Sequence, residues 1–392
     1  MPKSSAIWCV LLLAIPAQAQ WPAHPRDAGE LAEKFSSGFR GEPLDCSVDL
    51  KKPFLDFAFR FEAGLIVDCP INQFGGEEAR LTSLIRIRPE GADPVFLVDV
   101  FHVPGAPDNM RRRIDFRRLQ SSAEFSQVFA LGEGKYPVDL VVLDSRGRVF
   151  RKSWTAHASA HGDEKNANVS LKPNSAMSAV VPPWNWRPDE QQNGLHLTVM
   201  LDAAPIFPNA QKLRAWDRAF LLDSLSSLLR EVPSVSLRLI AFNLDQQQIV
   251  FQEDEFDHGG FRRLSRALES LELGTISYQK LRFQGGWTYL LAKLVNDEAA
   301  NAHPADAVIF IGPRNRLLEK TPREMLDVSN SHAPFFYFEY IPGWGDGFPD
   351  AIHSLVSECN GTVLKLHSPG EFAEGIKKLQ NRLKQPTRDA AP

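Results

Sequence analysis

The densest set of chemically capable side chains is Glu253-Asp254-Glu255, followed by Asp257 and His258. Carboxylates beside an imidazole can perform general acid–base chemistry, and the same oxygens suit a hard divalent cation. A solvated acidic loop accounts for the run with no chemistry at all. His157 and His161, with Asp163 and Glu164 close behind, would share one face of a helix and could hold a metal. The Ser, Gly and Asn around them oppose a helix, so a solvated segment is expected. Cys359 lacks the flanking residues of a reactive cysteine and reads as a buried thiol. Arg111-Arg112-Arg113 with Arg117-Arg118 suits an acidic partner or a lipid headgroup, although a solvated face explains it as well. The nucleophile elbow, the His-Glu-x-x-His zinc motif, the phosphate loop and the dinucleotide fingerprint are all absent. The residue types therefore point to binding rather than catalysis, with a hydrolase using the acidic loop and His258 as the alternative.

These residues sit in a chain of 392 residues that is 43% hydrophobic and 23% charged, with a net charge of −4. That composition predicts two or three globular domains and excludes bulk disorder. The lack of a basic excess argues against nucleic acid as a partner. Residues 1–19 combine Lys3, the apolar run Ala6–Ile15 and Ala17-Gln18-Ala19, the pattern of a cleaved secretory signal peptide. The apolar run is too short to span a bilayer, so no membrane span is expected and the mature protein is predicted to be periplasmic or extracellular. An oxidising compartment permits a disulfide, and Cys46 with Cys69 is the expected pair, leaving Cys359 over.

Residues 20–44 read as an N-terminal extension. From 45 to 155 the apolar period is two, as in Leu55, Phe57, Phe59 and Phe61, and about seven short strands predict an all-β sandwich. Leu131-Gly132-Glu133-Gly134-Lys135-Tyr136 has the spacing of a tyrosine corner and there resembles the immunoglobulin-like fold. Residues 156–194 have the composition of a linker, in which Trp184 and Trp186 are expected to clamp against a domain. From 195 to 385 strand-like and helix-like segments alternate, predicting a mostly parallel, Rossmann-like open sheet covered by helices. Residues 386–392 form a C-terminal tail.

The order of segments in 195–385, with Gly285-Gly286-Trp287-Thr288-Tyr289-Leu290 before a helix, resembles the von Willebrand factor A domain. The resemblance implies an α/β fold and a metal-ion-dependent adhesion site for Mg²⁺ or Mn²⁺, in which Asp202 and Thr288 occupy ligand positions. Ala204 and Ile206 stand where the family has serines, and Pro313 or Gly312 where it has aspartate, so the site is degenerate and no cofactor is expected. Non-standard ligands such as Asp254 or Asp346 would be needed to restore a metal. The resemblance, with the signal peptide and the β domain, also implies a secreted bacterial protein of the adhesion type. It would bind an unidentified protein partner at the strand-end surface, through Pro205, Trp287, Arg314 and Trp344.

Overall fold

The computed structural model describes residues 21–22, 25–107, 109, 115–119, 121–179, 194–207, 210–257, 259–274, 285–327, 333–343 and 348–384. The signal-peptide residues, Arg111–Arg113, Trp184, Trp186, His258, Trp344 and Asp346 lie outside them. Contacts divide the chain into two units.

The first unit comprises Met1–Pro53, Ala63–His157 and Asn174–Val181. It holds β1 (Trp21–Pro22), helix α1 (Pro25–Ser37) and strands β2 (Ser47–Leu55), β3 (Phe61–Pro70), β4 (Ala79–Ile87), β5 (Val95–Val103), β6 (Ser122–Leu131), β7 (Gly134–Asp144), β8 (Val149–Ala158) and β9 (Ala176–Ser178), with β2 counted to Pro53, β3 from Ala63 and β8 to His157. One sheet has the order β1-β5-β4-β7-β8 and the other β2-β3-β6-β9. Alternate residues Leu65, Val67 and Cys69 of β3 and Leu81, Ser83, Ile85 and Ile87 of β4 are buried, the pattern of sheets with one covered face. Between the sheets Ser83 Oγ donates to Gln127 Oε1 at 2.5 Å, satisfying a buried hydroxyl. Tyr136 is fully buried, with its hydroxyl 2.9 Å from Gly132 O and 3.1 Å from Ser175 O. The tyrosine thus ties the β6–β7 turn to the segment leading into β9.

Two features depart from the sequence reading. Residues 25–37 of the expected extension form α1, whose face, with Phe39 just beyond, puts Leu31, Phe35 and Phe39 against Leu84, Val141 and Val149. That i, i+4, i+8 spacing is helical, but it rests on three apolar residues in an otherwise polar stretch. In the stretch expected as linker, β8 runs on to Ala158, Gly162–Asn166 make a 3-10 turn and Ala176–Ser178 pair with β6. Polar composition does not preclude a strand where a neighbouring edge supplies hydrogen bonds.

The second unit comprises Phe54–Glu62, Ala158–Pro173 and Pro182–Pro392. Its sheet is formed by β10 (Leu195–Asp202), β11 (Ser234–Asn243), β12 (Gln248–Glu253), β13 (Ala307–Pro313), β14 (Phe335–Tyr340) and β15 (Thr362–Leu366) in the order β12-β11-β10-β13-β14-β15. The helices are α2 (Ala215–Glu231), α3 (Gly260–Glu269), α4 (Gly286–Ala299), α5 (Ala351–Glu358) and α6 (Pro369–Lys384). β10 pairs in parallel with both β11 and β13, and β13, β14 and β15 continue in parallel, whereas β12 is antiparallel to β11. Every residue of β13 is buried, as expected of a strand covered on both faces.

The expected fold class is corrected by these sheets. Of the fifteen strands among the described residues, nine lie in two sandwich-like, antiparallel-type sheets, and the third sheet is mixed because β12 runs against its neighbour. The chain is not an α/β protein of the von Willebrand factor A type. The alternation of apolar segments defines local elements well, but it says nothing of family.

Cys46 and Cys69 are joined in a disulfide that closes a loop with a sequence separation of 23. On the chain-entropy model such a loop stabilises the native state by about 3 kcal/mol. Replacing both cysteines by serine is expected to lower the unfolding free energy of the first unit by that order. Denaturant titration followed by far-UV circular dichroism measures it, and an unchanged midpoint would show that the bridge is dispensable.

Candidate functional site

Parallel strands end along one edge of their sheet, so the segments following β10, β11, β13 and β14 gather there. At the end of β10, Asp202 is 1% exposed and lies in register with Phe242 of β11. Gly312 makes room for it: a Cβ at that position would come within 2.6 Å of Asp202 Cβ. The segment after Asp202 is pinned by Asn243 Nδ2, which donates to Ala203 O at 2.6 Å. Asp217, in the first turn of α2, accepts from Ile206 N at 2.9 Å and Arg214 N at 2.7 Å.

Two buried carboxyls nearby are treated in opposite ways. Asp350 caps α5 and accepts from His353 N at 2.7 Å, Asn315 N at 3.0 Å and Tyr337 Oη at 3.1 Å. Burial nonetheless pushes its carboxyl up to about 6, with those donors opposing the rise. Neither oxygen of Asp202 has a hydrogen-bond partner, and Asn315 Nδ2 and Trp287 Nε1 are likewise buried and unpartnered. Burial above all, then the charges of Asp350 and Asp245, raise the Asp202 carboxyl well above the carboxylate range. The Asn315 side chain acts the other way. A buried group left without partners destabilises a fold, and such groups concentrate where a protein works. Asp202 is therefore the centre of the candidate site.

The remaining expected residues are placed as follows. Thr288 Oγ1 donates to Gly285 O at 2.6 Å, closing the turn that opens α4, where Gly285 takes a φ of +87°. Trp287 is half-buried and packs on the core around Phe310, Leu291 and Tyr337, so its ring faces inward rather than forming a rim. The exposed ring of that turn is Tyr289, at 56%. Arg314 is drawn down onto the fully buried Glu339, Nε to Oε1 at 2.5 Å, and Glu339 also meets His353 Nδ1 at 2.9 Å. Its guanidinium serves as an internal counterion, which departs from the contact role expected of it. Pro205 is half-buried in the segment after Asp202. Asp350, Asn315, Tyr337 and Glu339 were not singled out in the sequence; only the Pro-Asp pair before a helix, an N-cap signature, marks one of them.

Outside this edge the chemical candidates do not assemble. Glu253 and Asp257 share Arg263, at 2.5 Å and 2.7 Å, and Asp254 meets Arg238 at 3.0 Å. Hydrogen bonding to Arg263 holds the Asp257 carboxyl below its ordinary value, the opposite of what a general acid requires. His157 lies on β8 and His161 opens the 3-10 turn, its Nε2 3.0 Å from Ser159 Oγ, so the two share no helix face. Cys359 is partly buried, and burial pushes its thiol up to about 11. Among the described residues no three His, Cys, Asp or Glu side chains converge as a metal site. At Asp202 the oxygen-free Ala204 and Ile206 flank a single unpartnered carboxyl, which does not fit the octahedral demand of Mg²⁺.

No protein-family model and no curated protein matches the chain. Among solved structures, OgpA from Akkermansia muciniphila is similar at 15% identity over 30% of this chain and 28% of that one, with a TM-score of 0.17. A β-glucosidase from Listeria innocua is similar at 8% identity over 29% of this chain and 16% of that one, with a TM-score of 0.17. A β-glucuronidase from Bacteroides uniformis is similar at 8% identity over 87% of this chain and 39% of that one, with a TM-score of 0.19. The chain thus spans well under half the length of each of these three. At such scores they assign neither fold nor activity.

A carboxyl whose native pKa is raised supports the fold while it is protonated, and that support is lost as pH rises from its unfolded value towards its native one. Wild-type protein should therefore lose stability between pH 4 and pH 8 partly through Asp202. Asp202→Asn is expected to raise the unfolding free energy by about 1–3 kcal/mol at pH 8 and to change it little at pH 4. Denaturant titrations at the two pH values test this; destabilisation at pH 8 would mean that the carboxylate has a partner in solution.

Proposed function

We propose that the protein is exported and acts by binding another protein through the carboxyl-end edge of its six-stranded sheet, without chemistry of its own and without a metal. One observation carries this reading. Five large hydrophobic side chains are exposed among the described residues; Phe54 lies on β2, and the other four, Trp216, Tyr289, Leu318 and Phe348, are 51%, 56%, 53% and 78% exposed and follow or precede strands of the six-stranded sheet. Trp216 is in the first turn of the helix after β10, and Tyr289 in the first turn of the helix leading to β13. Leu318 follows β13, and Phe348 follows β14. The parallel topology puts all four segments at the same edge, around Asp202. Exposed aromatics are the usual anchors of protein interfaces.

Export is supported by the signal-like residues 1–19 and by the intramolecular disulfide, which persists in oxidising compartments. No helix among the described residues is long and apolar enough to cross a membrane. In the 253–257 loop, Glu253, Asp254 and Asp257 are each paired with an arginine, which lends the hydrolytic alternative no support from these three acids.

The double variant Tyr289→Asp/Leu318→Asp tests the interface. Capture with the mature protein from the secreted fraction is expected to recover a partner whose binding falls at least about tenfold in the variant, because truncated hot spots commonly lose 2 kcal/mol or more. Equal capture by both proteins, at matched circular dichroism, would refute the assigned edge. Thermal unfolding in EDTA against millimolar Mg²⁺ or Mn²⁺ is expected to show no shift. A specific ion at 100 times its dissociation constant would add about 2.7 kcal/mol, and a shift removed by Asp202→Ala would restore metal-dependent adhesion.

A further inference from the structure

The segment Phe54–Glu62 belongs to the second unit and carries an ion cluster that the binding edge does not use. Its turn is closed by Asp56 N to Arg60 O at 2.8 Å and Phe59 N to Asp56 O at 3.0 Å. Phe59 sits at a φ of +57°, a conformation a bulky residue adopts only where its surroundings hold it. The turn is held mainly by helix α2. Ser227 Oγ donates to Phe57 O at 2.7 Å, and Arg230 Nη1 donates to Ala58 O at 3.2 Å. The Phe57 ring lies 4.8 Å from that of Phe220, 5.4 Å from Tyr340 on β14 and 5.8 Å from Phe372 on α6. From the Ala158–Pro173 segment, Ser170 N donates to Phe59 O at 2.8 Å.

Charge at this contact is unbalanced. Arg60 reaches Asp56 at 3.0 Å and Asp223 of α2 at 3.9 Å, with the three side chains only 4%, 9% and 13% exposed. Glu62 adds a third, half-buried carboxyl that acts on Asp223. The other guanidinium, that of Arg230, is engaged by Glu231 at 3.3 Å. Glu231 also accepts from Asn168 Nδ2 at 2.8 Å. From β14, the Tyr340 ring meets Phe57, and burial raises its phenol. Carboxyls therefore outnumber guanidiniums at a buried contact, and a buried surplus charge is relieved by taking up a proton.

We propose that Phe54–Glu62 is a proton-operated latch on α2: a proton held among Asp223, Asp56 and Glu62 keeps it shut, and losing that proton as the medium turns alkaline lets it open. Burial first, then Asp56 and Glu62 against Arg60, push the Asp223 carboxyl up to about 8. Asp56 and Glu62 are raised too, in each case by burial before any charge. In the open latch these groups return towards ordinary carboxylate values. The closed form therefore binds more protons, and its advantage shrinks as pH climbs from about 4 to about 8.

Amide hydrogen exchange of the full mature chain, corrected for intrinsic rates, tests the latch. The Phe59 and Arg60 amides should show an opening constant that rises about tenfold per pH unit between pH 5 and pH 8, the limit for one proton. In Asp223→Asn, with Glu62→Gln as a second variant, the rise should drop to about threefold per unit or less. The β13 amides should show no such slope in any of the proteins. Protection of the turn that is independent of pH, a slope unchanged in both variants, or the same slope throughout β13 would each overturn the proposal.

Discussion

β10 is held in parallel on both sides, by β11 and by β13, and most of the second unit follows from that pairing. A parallel neighbour cannot be reached by a tight turn, so the chain must cross over through a helix each time. After β10 it crosses to β11 on one side, and after α4 it returns to β13 on the other. The strand order reverses there, which leaves the end of β10 at the switch point where open sheets form a crevice. Asp202 is the residue at that point. Gly312 on the next strand admits it because no side chain there contests the space.

The same constraint shapes the electrostatics. Strand ends and helix starts meet at this edge, and the unpaired amides of a helix start suit a carboxylate. Asp350 uses this: it caps α5, receives the Asn315 amide and takes the Tyr337 hydroxyl. Glu339 uses side chains instead, those of Arg314 and His353. Asp202 receives neither kind of support, while the unpartnered donors of Asn315 and Trp287 are buried as well. Acceptors and donors thus coexist without a hydrogen bond between them, while Asp350 and Glu339 nearby are satisfied. A sequence under selection for stability alone would place an apolar residue at 202, as it does at Ala203 and Ala204.

Much of the second unit was legible because its elements are periodic and buried. The apolar spacing of Phe220, Leu221, Leu225, Leu228 and Leu229 located α2, and the continuous run from Ala307 located β13. The antiparallel edge was legible as well, because only a tight polar turn separates the strand-like runs Ser236–Phe242 and Gln248–Gln252, and β12 does return against β11. Helix α1 was missed because three apolar residues among polar ones leave little signal until the sheet they cover is known. At the site, Asp202 stood out through a resemblance, whereas Asp350, Tyr337 and Asn315 are brought to it only by folding. Exposure was misjudged at Trp287 for a related reason. In the first turn of α4, Trp287 and Tyr289 point to different sides of the helix, and the core beneath takes the larger ring.

The two buried acidic clusters of the second unit differ in what relieves them. Around Asp223, Arg60 is already in place, so the surplus charge needs only a proton, which the solvent supplies at any pH below the native value. Around Asp202 burial first, then the charges of Asp350 and Asp245, raise the carboxyl well above its ordinary value, as burial raises the Tyr337 phenol. A neutral carboxyl still has one hydrogen to donate and lone pairs to fill, and the surrounding protein fills neither. Protonation therefore removes the charge at Asp202 but leaves the hydrogen-bonding deficit. A shift of Asn315 and Trp287, whose buried donors are themselves unpartnered, or a group arriving from outside the fold would relieve that deficit.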